Sequence, residues 1–241
     1  MNPLLSVVIP AYNEERRLPR SLDGIREFLS GRGTRFEIVV VDDGSRDRTV
    51  AEAEARGGSE TRVLRGDRNR GKGHAVRVGM LAALGELRLM TDADLSTPID
   101  ELAKLEAALG EGADVAVGSR AVPGARIEVR QSALRESAGR TFNRMVRLLL
   151  LPEVHDTQCG FKLWTARAAQ LAFAPLRLDG FSFDVESLYV AERLGLRIAE
   201  VPVVWRNDAA TRVSGLSGAA AFADLLRIRW NAARGRYGAG L

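Results

Sequence analysis

Two aspartates one residue apart, Asp92 and Asp94, leave the end of an apolar run in LMTDADLSTP, residues 89–98. Carboxylate oxygens are the preferred ligands of hard cations, so Asp92-Ala93-Asp94 suits Mg2+ or Mn2+. Two carboxylates make an incomplete shell. Sites of this kind finish it with substrate phosphates and water, which points to a nucleoside diphosphate. An Asp-X-Asp is also a common solvated turn, so its position must decide between the two readings. Asp42-Asp43-Gly44-Ser45 reads as an Asx turn with Ser45 capping the next helix. Asp43 could equally accept a hydrogen bond from a base N–H or a ribose hydroxyl. Arg68-Asn69-Arg70-Gly71-Lys72-Gly73 precedes a helical pattern and could help hold an anion at that helix N-terminus. It is not a Walker loop, because no strand-GxxxxGK[ST] pattern surrounds it.

The elements that must position these residues alternate along the first 120 positions. Strand patterns at 4–9, 36–41, 61–64, 87–90 and 114–117 alternate with helical patterns at 14–29, 47–56, 74–84 and 97–109. Thr97-Pro98 reads as the cap and first residue of the last of these helices. Strands alternating with helices imply βαβ units and a mostly parallel sheet. In such a sheet ligands bind outside the carboxyl ends of the strands. PAYNE (10–14), DDGSRD (42–47), DAD (92–94) and GSR (118–120) all fall at those ends, which favours the ligand reading over chance turns.

The second half is less regular. It reads as a Gly-, Pro- and Arg-rich loop at 120–130, a long helix from about 131 to 150 and a polar turn HDTQCG at 155–160. Helices near 165–171 and 184–194, a strand near 197–204 and a terminal helix at 217–233 follow. The expectation is one catalytic unit over 1–215 and an amphipathic helix over 216–241, packed on the unit or lying at a membrane interface.

The 241 residues are ample for a core, and 46% apolar with 27% charged residues is a soluble globular mix. No run is long enough to span a bilayer, and the N-terminus reads as a strand, not a signal peptide. One cysteine excludes an internal disulfide and, with two histidines, makes a zinc site improbable. The expected location is the reducing cytoplasm, with peripheral contact on the inner face of the cell membrane as a second option. A net charge of +4 and a pI near 9.7 favour anionic partners without choosing among them. Scattered basic residues and no nucleic-acid motif argue against a nucleic-acid partner.

Six motifs occur in order: VVIPAYNEE (7–15), VVVDDGSRDRT (39–49), NRGKGHAVRVGM (69–80), MTDADLSTP (90–98), VGSR (117–120) and DTQCGFKLW (156–164). Together they resemble family 2 glycosyltransferases, and most closely the dolichyl-phosphate glucosyltransferase branch; the dolichyl-phosphate mannose synthase branch is similar but matches less well at DTQCGFKL. The resemblance implies a GT-A, Rossmann-like α/β fold with a mostly parallel sheet flanked by helices and a C-terminal helical extension. It implies inverting transfer of a hexose, glucose for this branch, from UDP-glucose to a polyprenyl phosphate with Mg2+ or Mn2+. GDP-mannose as donor, or a soluble hydroxyl acceptor, are the alternatives. Pro10, Tyr12 and Glu14 match the first nucleotide-contacting loop, and Val41 and Asp43 the base-binding positions. Asp92, Ala93 and Asp94 match the metal and diphosphate motif, with Asp94 the direct ligand. Arg120 matches an arginine near the transferring or acceptor phosphate, and Arg212 a basic residue on a loop that closes over the diphosphate.

Two further residues have two readings each. Arg135 falls on the apolar side of the long helix with Ala138, Phe142, Met145, Val146 and Leu149, opposite Arg140, Arg144 and Arg147. An unpaired charge there is costly, so it wants either a core carboxylate or, as the resemblance implies, the acceptor phosphate. Asp156 is the candidate general base for a hydroxyl acceptor, or a turn-forming aspartate. Cys159 reads as a buried small apolar residue, because nothing near it in sequence activates a thiolate.

Overall fold

Strand β1 (Leu5–Ala11) lies inside the main sheet and divides two hydrophobic cores. Leu5, Val7 and Ile9 pack with Leu18, Leu22, Ile25 and Leu29 of α1 (Leu18–Gly31) and with Leu102 and Leu105 of α4 (Leu102–Gly110). Val8 points the other way, into a core with Val76 and Met80 of α3 (Lys72–Ala82). A strand covered on both faces needs a near-continuous apolar run, which LSVVI supplies apart from Ser6, whose hydroxyl donates to Glu37 Oε1 at 2.6 Å. The computed structural model describes residues 3–129, 133–206 and 217–238.

Among the described residues the main sheet has the order β3-β2-β1-β4-β7-β5-β8. Its other strands are β2 (Phe36–Asp42), β3 (Thr61–Arg65), β4 (Leu87–Met90), β5 (Val115–Ser119), β7 (Lys162–Thr165) and β8 (Ile198–Pro202). All neighbours are parallel except β7, which runs antiparallel between β4 and β5. A separate ribbon pairs β6 (Arg126–Val129) with β9 (Val204–Arg206). Helices α2 (Thr49–Arg56), α5 (Ala133–Leu149), α6 (Ala166–Phe173), α7 (Phe183–Arg193) and α8 (Ser217–Ala233) complete the layers.

Several local expectations are corrected. Residues 14–17 form a turn, and α1 begins at Leu18, where Pro19 suits the first helical turn. Ser45 caps no helix, because its hydroxyl accepts the Asn13 amide instead. Thr97-Pro98 does not open the fourth helix. Pro98 keeps extended backbone at ψ 147°, and a single 3-10 turn, Ile99–Glu101, precedes α4. The segment expected as a loop at 120–130 contains β6, the single strand expected at 197–204 is two strands, and the turn before Trp164 leads into β7. On α5, Phe142 and Val146 are buried as expected, but Ala138 is exposed.

Helix α8 packs against α5. Phe222 meets Phe142 edge-on at 5.6 Å, and Leu225 and Ile228 are fully buried. Beyond α8, the Tyr237 hydroxyl donates to Glu186 Oε1 at 2.7 Å, and that carboxylate also accepts the amides of Arg177 and Leu178.

The contact of α3 with β1 and β2 runs through Gly79. A Cβ there would lie 2.4 Å from Val8 Cγ1 and 2.8 Å from Val41 Cγ2. Gly79→Ala is therefore expected to cost about 1–3 kcal/mol through overpacking. It should lower the denaturant midpoint with the m-value unchanged. An unshifted midpoint would refute the close approach.

Candidate active site

The carboxyl ends of β1, β2 and β4 carry loops that are tied to one another by side chains. Asn13, with φ 56°, accepts the Arg46 amide on Oδ1 at 2.9 Å, and the Glu14 amide donates to Thr49 Oγ1 at 2.7 Å. The Asx turn is made by Asp42, which accepts the Ser45 amide. Asp43 instead accepts the amides of Arg70 and Gly71 at 2.9 and 2.8 Å, so it clamps the RNRGKG loop to the sheet edge. Gly44, at φ +74°, lets that loop approach, since a Cβ would lie 2.5 Å from the Arg68 carbonyl carbon. Tyr12, Gly44, Ser45, Arg68 and Asn69 line a cleft of about 240 Å³ at this junction.

Asp92 and Asp94 follow the end of β4, which runs parallel to β1, so they stand on the same carboxyl edge. Leu95 follows in the left-handed region at φ 48°, and Ser96 donates its amide to Asp94 Oδ1 at 2.9 Å. A β4 end that turns this sharply aims both carboxylates at the sheet edge. Each meets a cation: Lys72 Nζ stands 2.6 Å from Asp92 Oδ1, and Arg17 Nη1 3.7 Å from Asp94 Oδ2. Burial and the neighbouring Asp92 charge raise the Asp94 pKa above the usual carboxylate value. Two crowded carboxylates that already draw two cationic side chains fit a divalent cation. Among the described residues no third acidic or imidazole ligand joins them, so ligand phosphates and water would complete the shell.

The antiparallel direction of β7 supplies the rest. Its first residue, Lys162, is level with Met90 of β4 and Val117 of β5, so the residues before it lie at the same carboxyl edge. Gly160 packs on Asp92: a Cβ there would lie 2.1 Å from Asp92 Oδ2. Asp156 takes Arg120 in a two-pronged ion pair, Nε to Oδ2 at 2.7 Å and Nη2 to Oδ1 at 2.8 Å, and accepts the Arg120 amide as well. Arg120 also stacks over Trp205 at 5.2 Å. Burial alone would raise the Asp156 pKa, but the Arg120 charge and its hydrogen bonds hold it below the usual carboxylate range. Lys162, fully buried, donates to the Cys159 carbonyl at 2.7 Å and ion-pairs with Asp184.

These positions revise the roles expected from sequence. Asp156 is 1% exposed and engaged by Arg120, so it cannot act as a free base. Val41 places its side chain in the core against Gly79, not in the cleft. The Ala93 carbonyl is occupied by Ser21 Oγ at 2.6 Å, and Glu14 faces Arg17. Pro10 is half-buried in β1, and Tyr12 is exposed at the cleft. The Arg135 side chain and all of Arg212 lie outside the described residues. Cys159 is buried as expected, and burial pushes its thiol pKa up. Sequence reasoning missed Arg17, Gly160, Trp205 and the Lys162–Asp184 pair. A charged residue inside an apolar run, FKLW, was the one available signal for the pair.

The family described as glycosyl transferase family 2 matches residues 6–170, which include nearly all of β1, all of β2 to β7 and the loops that carry Asp43, Asp92, Arg120 and Asp156. The chain belongs to glycosyl transferase family 2. Within that family it is 43% identical to the dolichyl-phosphate beta-glucosyltransferase of Drosophila melanogaster over 216 residues, 83% of this chain and 66% of the relative. It is 36% identical to the Dictyostelium discoideum protein of the same name, covering 95% of this chain and 75% of that one. The chain thus spans about two thirds of the fly relative's length. The glucosyl-3-phosphoglycerate synthase of Mycobacterium tuberculosis, solved with UDP, matches the fold with a TM-score of 0.71 at 24% identity, over 94% of this chain and 80% of that one. The GT-A fold expected from the motifs is the fold observed, and the branch they resemble is the branch of these relatives.

Two features of this edge are directly testable. Gly160→Ala must push the Asp92 carboxylate aside; it should weaken Mn2+ binding by about tenfold while the far-ultraviolet spectrum is kept, as read by paramagnetic resonance. Asp156→Asn removes the counter-charge of Arg120 and should cost about 3–5 kcal/mol at pH 7. Because the folded pKa is depressed, this contribution is present above about pH 4 and is lost as pH falls through the folded value. Denaturation curves should show a flat wild-type-minus-variant difference from about pH 5 to 8 that shrinks below about pH 4.

Proposed function

We propose that this chain transfers glucose from UDP-glucose to a polyprenyl phosphate, with inversion at the anomeric carbon. The relatives' shared name supports the sugar, the beta product and the lipid phosphate acceptor. The observation that carries the choice of acceptor is the locked state of Asp156. A hydroxyl acceptor needs a base, and Asp156, the candidate for that task, is committed to Arg120. A phosphate monoester is already anionic and needs none.

In this reading an acceptor phosphate oxygen attacks the glucose anomeric carbon in line. The bond to the UDP β-phosphate oxygen breaks, and its electron pair leaves with the diphosphate. Asp92 and Asp94 would hold a divalent cation, which when bound supplies Lewis-acid stabilisation of the departing diphosphate. Lys72 adds a positive charge beside the same carboxylates. Arg120, fixed by Asp156 and Trp205, positions the acceptor phosphate. Tyr12 and the loops clamped by Asp43 receive the nucleoside in the 240 Å³ cleft. Arg135 and Arg212 are proposed to hold the acceptor phosphate and to cover the diphosphate.

No helix among the described residues is long and apolar enough to cross a membrane. We place residues 1–215 as the catalytic unit and assign a peripheral lipid contact to the extension, on the inner face of the cell membrane. Phe222, Leu226 and Trp230 form an exposed stripe along α8, and Arg234 stacks on Trp230 at 4.1 Å. Apolar side chains flanked by arginine suit an anionic bilayer surface.

The test uses purified protein, labelled UDP-glucose, Mn2+ and a short polyprenyl phosphate, with label counted in the organic phase. Metal-dependent label is expected, and Asp94→Ala should reduce it by at least about a hundredfold. Label carried only from GDP-mannose would overturn the donor. Label passing only to a water-soluble hydroxyl acceptor would overturn the lipid phosphate.

A further inference from the structure

The chain contains 32 arginines but only three lysines, Lys72, Lys104 and Lys162. Two of the three belong to one ionic cluster. Lys162 is fully buried against Asp184, and Lys72 lies between Asp184 and Asp92 with its ammonium 2.6 Å from Asp92 Oδ1. Lys72 is also the first residue of α3, where the helix dipole disfavours a cation and favours an anion. Its ammonium stays because two carboxylates outweigh that cost. Lysine differs from arginine here in a specific way: it is a compact charge on a flexible stem, able to change partners without a fixed fork geometry. The loop before it is immobilised from both sides. Asp43 holds the amides of Arg70 and Gly71, and a Cβ on Gly71 would lie 2.3 Å from the Asp179 carbonyl oxygen. A fixed backbone that carries a charge on an intrinsically flexible stem suits a switch between two anions.

We propose that Lys72 is an exchangeable counter-ion that couples nucleotide binding to metal binding. Asp92 Oδ1 can carry the ammonium or a divalent cation, not both. A diphosphate arriving at the N-terminus of α3 draws the ammonium off Asp92 and frees that oxygen for the metal. Metal and nucleotide then raise each other's affinity by the same factor, as linkage requires. The inference rests on the proposed reading of this edge as a nucleotide-diphosphate site.

The probes are Mn2+, followed by paramagnetic resonance, and UDP, followed by calorimetry with and without EDTA. Against wild type, Lys72→Met should bind Mn2+ alone about tenfold more tightly, bind UDP in EDTA about tenfold more weakly, and show a smaller mutual enhancement. Lys72→Arg keeps a cation and should bind Mn2+ alone as weakly as wild type. Mn2+ bound no more tightly by Lys72→Met than by wild type overturns the proposal. Should the methionine variant not fold, wild type labelled with 15N-lysine decides. The Lys72 ammonium signal must move with UDP in EDTA, with Lys104 as the unmoved reference, and an unmoved Lys72 signal overturns the proposal. UDP that fails to bind wild type overturns the nucleotide reading and this inference together. UDP that binds without these differences overturns this inference alone.

Discussion

The ion pair between Lys162 and Asp184 holds together the parts from which the ligand edge is made. A charge on a central strand, covered on both sides, survives only with a partner and filled hydrogen bonds. Lys162 finds both in Asp184 at the start of α7 and in the Cys159 carbonyl just before β7. That one ammonium therefore joins α7 to the sheet and fixes the chain that carries Gly160 and Asp156. From it the signs alternate outward: Asp184, then Lys72, then Asp92. Carboxylates in such density would repel one another in a medium of low dielectric, and Lys72 beside Asp92 and Arg17 beside Asp94 offset that repulsion at the end of β4.

The parallel half of the sheet was legible because each strand is a short apolar run and each helix has a 3.6-residue stripe. β4 and α8 fall at the residues expected of them. Strand β7 was not legible. It has four residues, its first is a lysine, and its burial depends on an ion pair formed with a residue 22 positions away. No local pattern reports a partner of that kind. The same limit explains Ser45 and Thr97, both good helix caps by residue type. Ser45 accepts the Asn13 amide, and Thr97 faces Cys159 across 3.7 Å, so tertiary neighbours took the groups that local propensity had assigned.

The site divides along a similar line. Asp92, Asp94 and Arg120 were readable because they follow strand ends, and strand ends were readable. Their partners were not, since Lys72, Arg17, Asp156 and Trp205 reach them from other elements. Asp156 shows the consequence. As a residue type it is a fair candidate for proton transfer, yet its function is decided by the guanidinium 2.7 Å away. Asp43, expected at a nucleoside, also clamps a loop, which no local pattern announced.

The chain leaves β5 at Arg120 and re-enters the sheet after Asp156, and these two residues grip each other. Everything between them is an excursion with a clasp at its neck. Lengthening a closed loop costs little entropy, about 0.6 kcal/mol per doubling, but β6 pairs with β9 and Phe142 and Val146 of α5 are buried in the core, so the excursion is anchored along its way as well as at its neck. Among the described residues, only the largely exposed turn at 121–125, between β5 and β6, is free of such anchors and can lengthen cheaply. An insertion there leaves the ligand edge in place, because the Arg120–Asp156 clasp holds both ends of the excursion whatever its length.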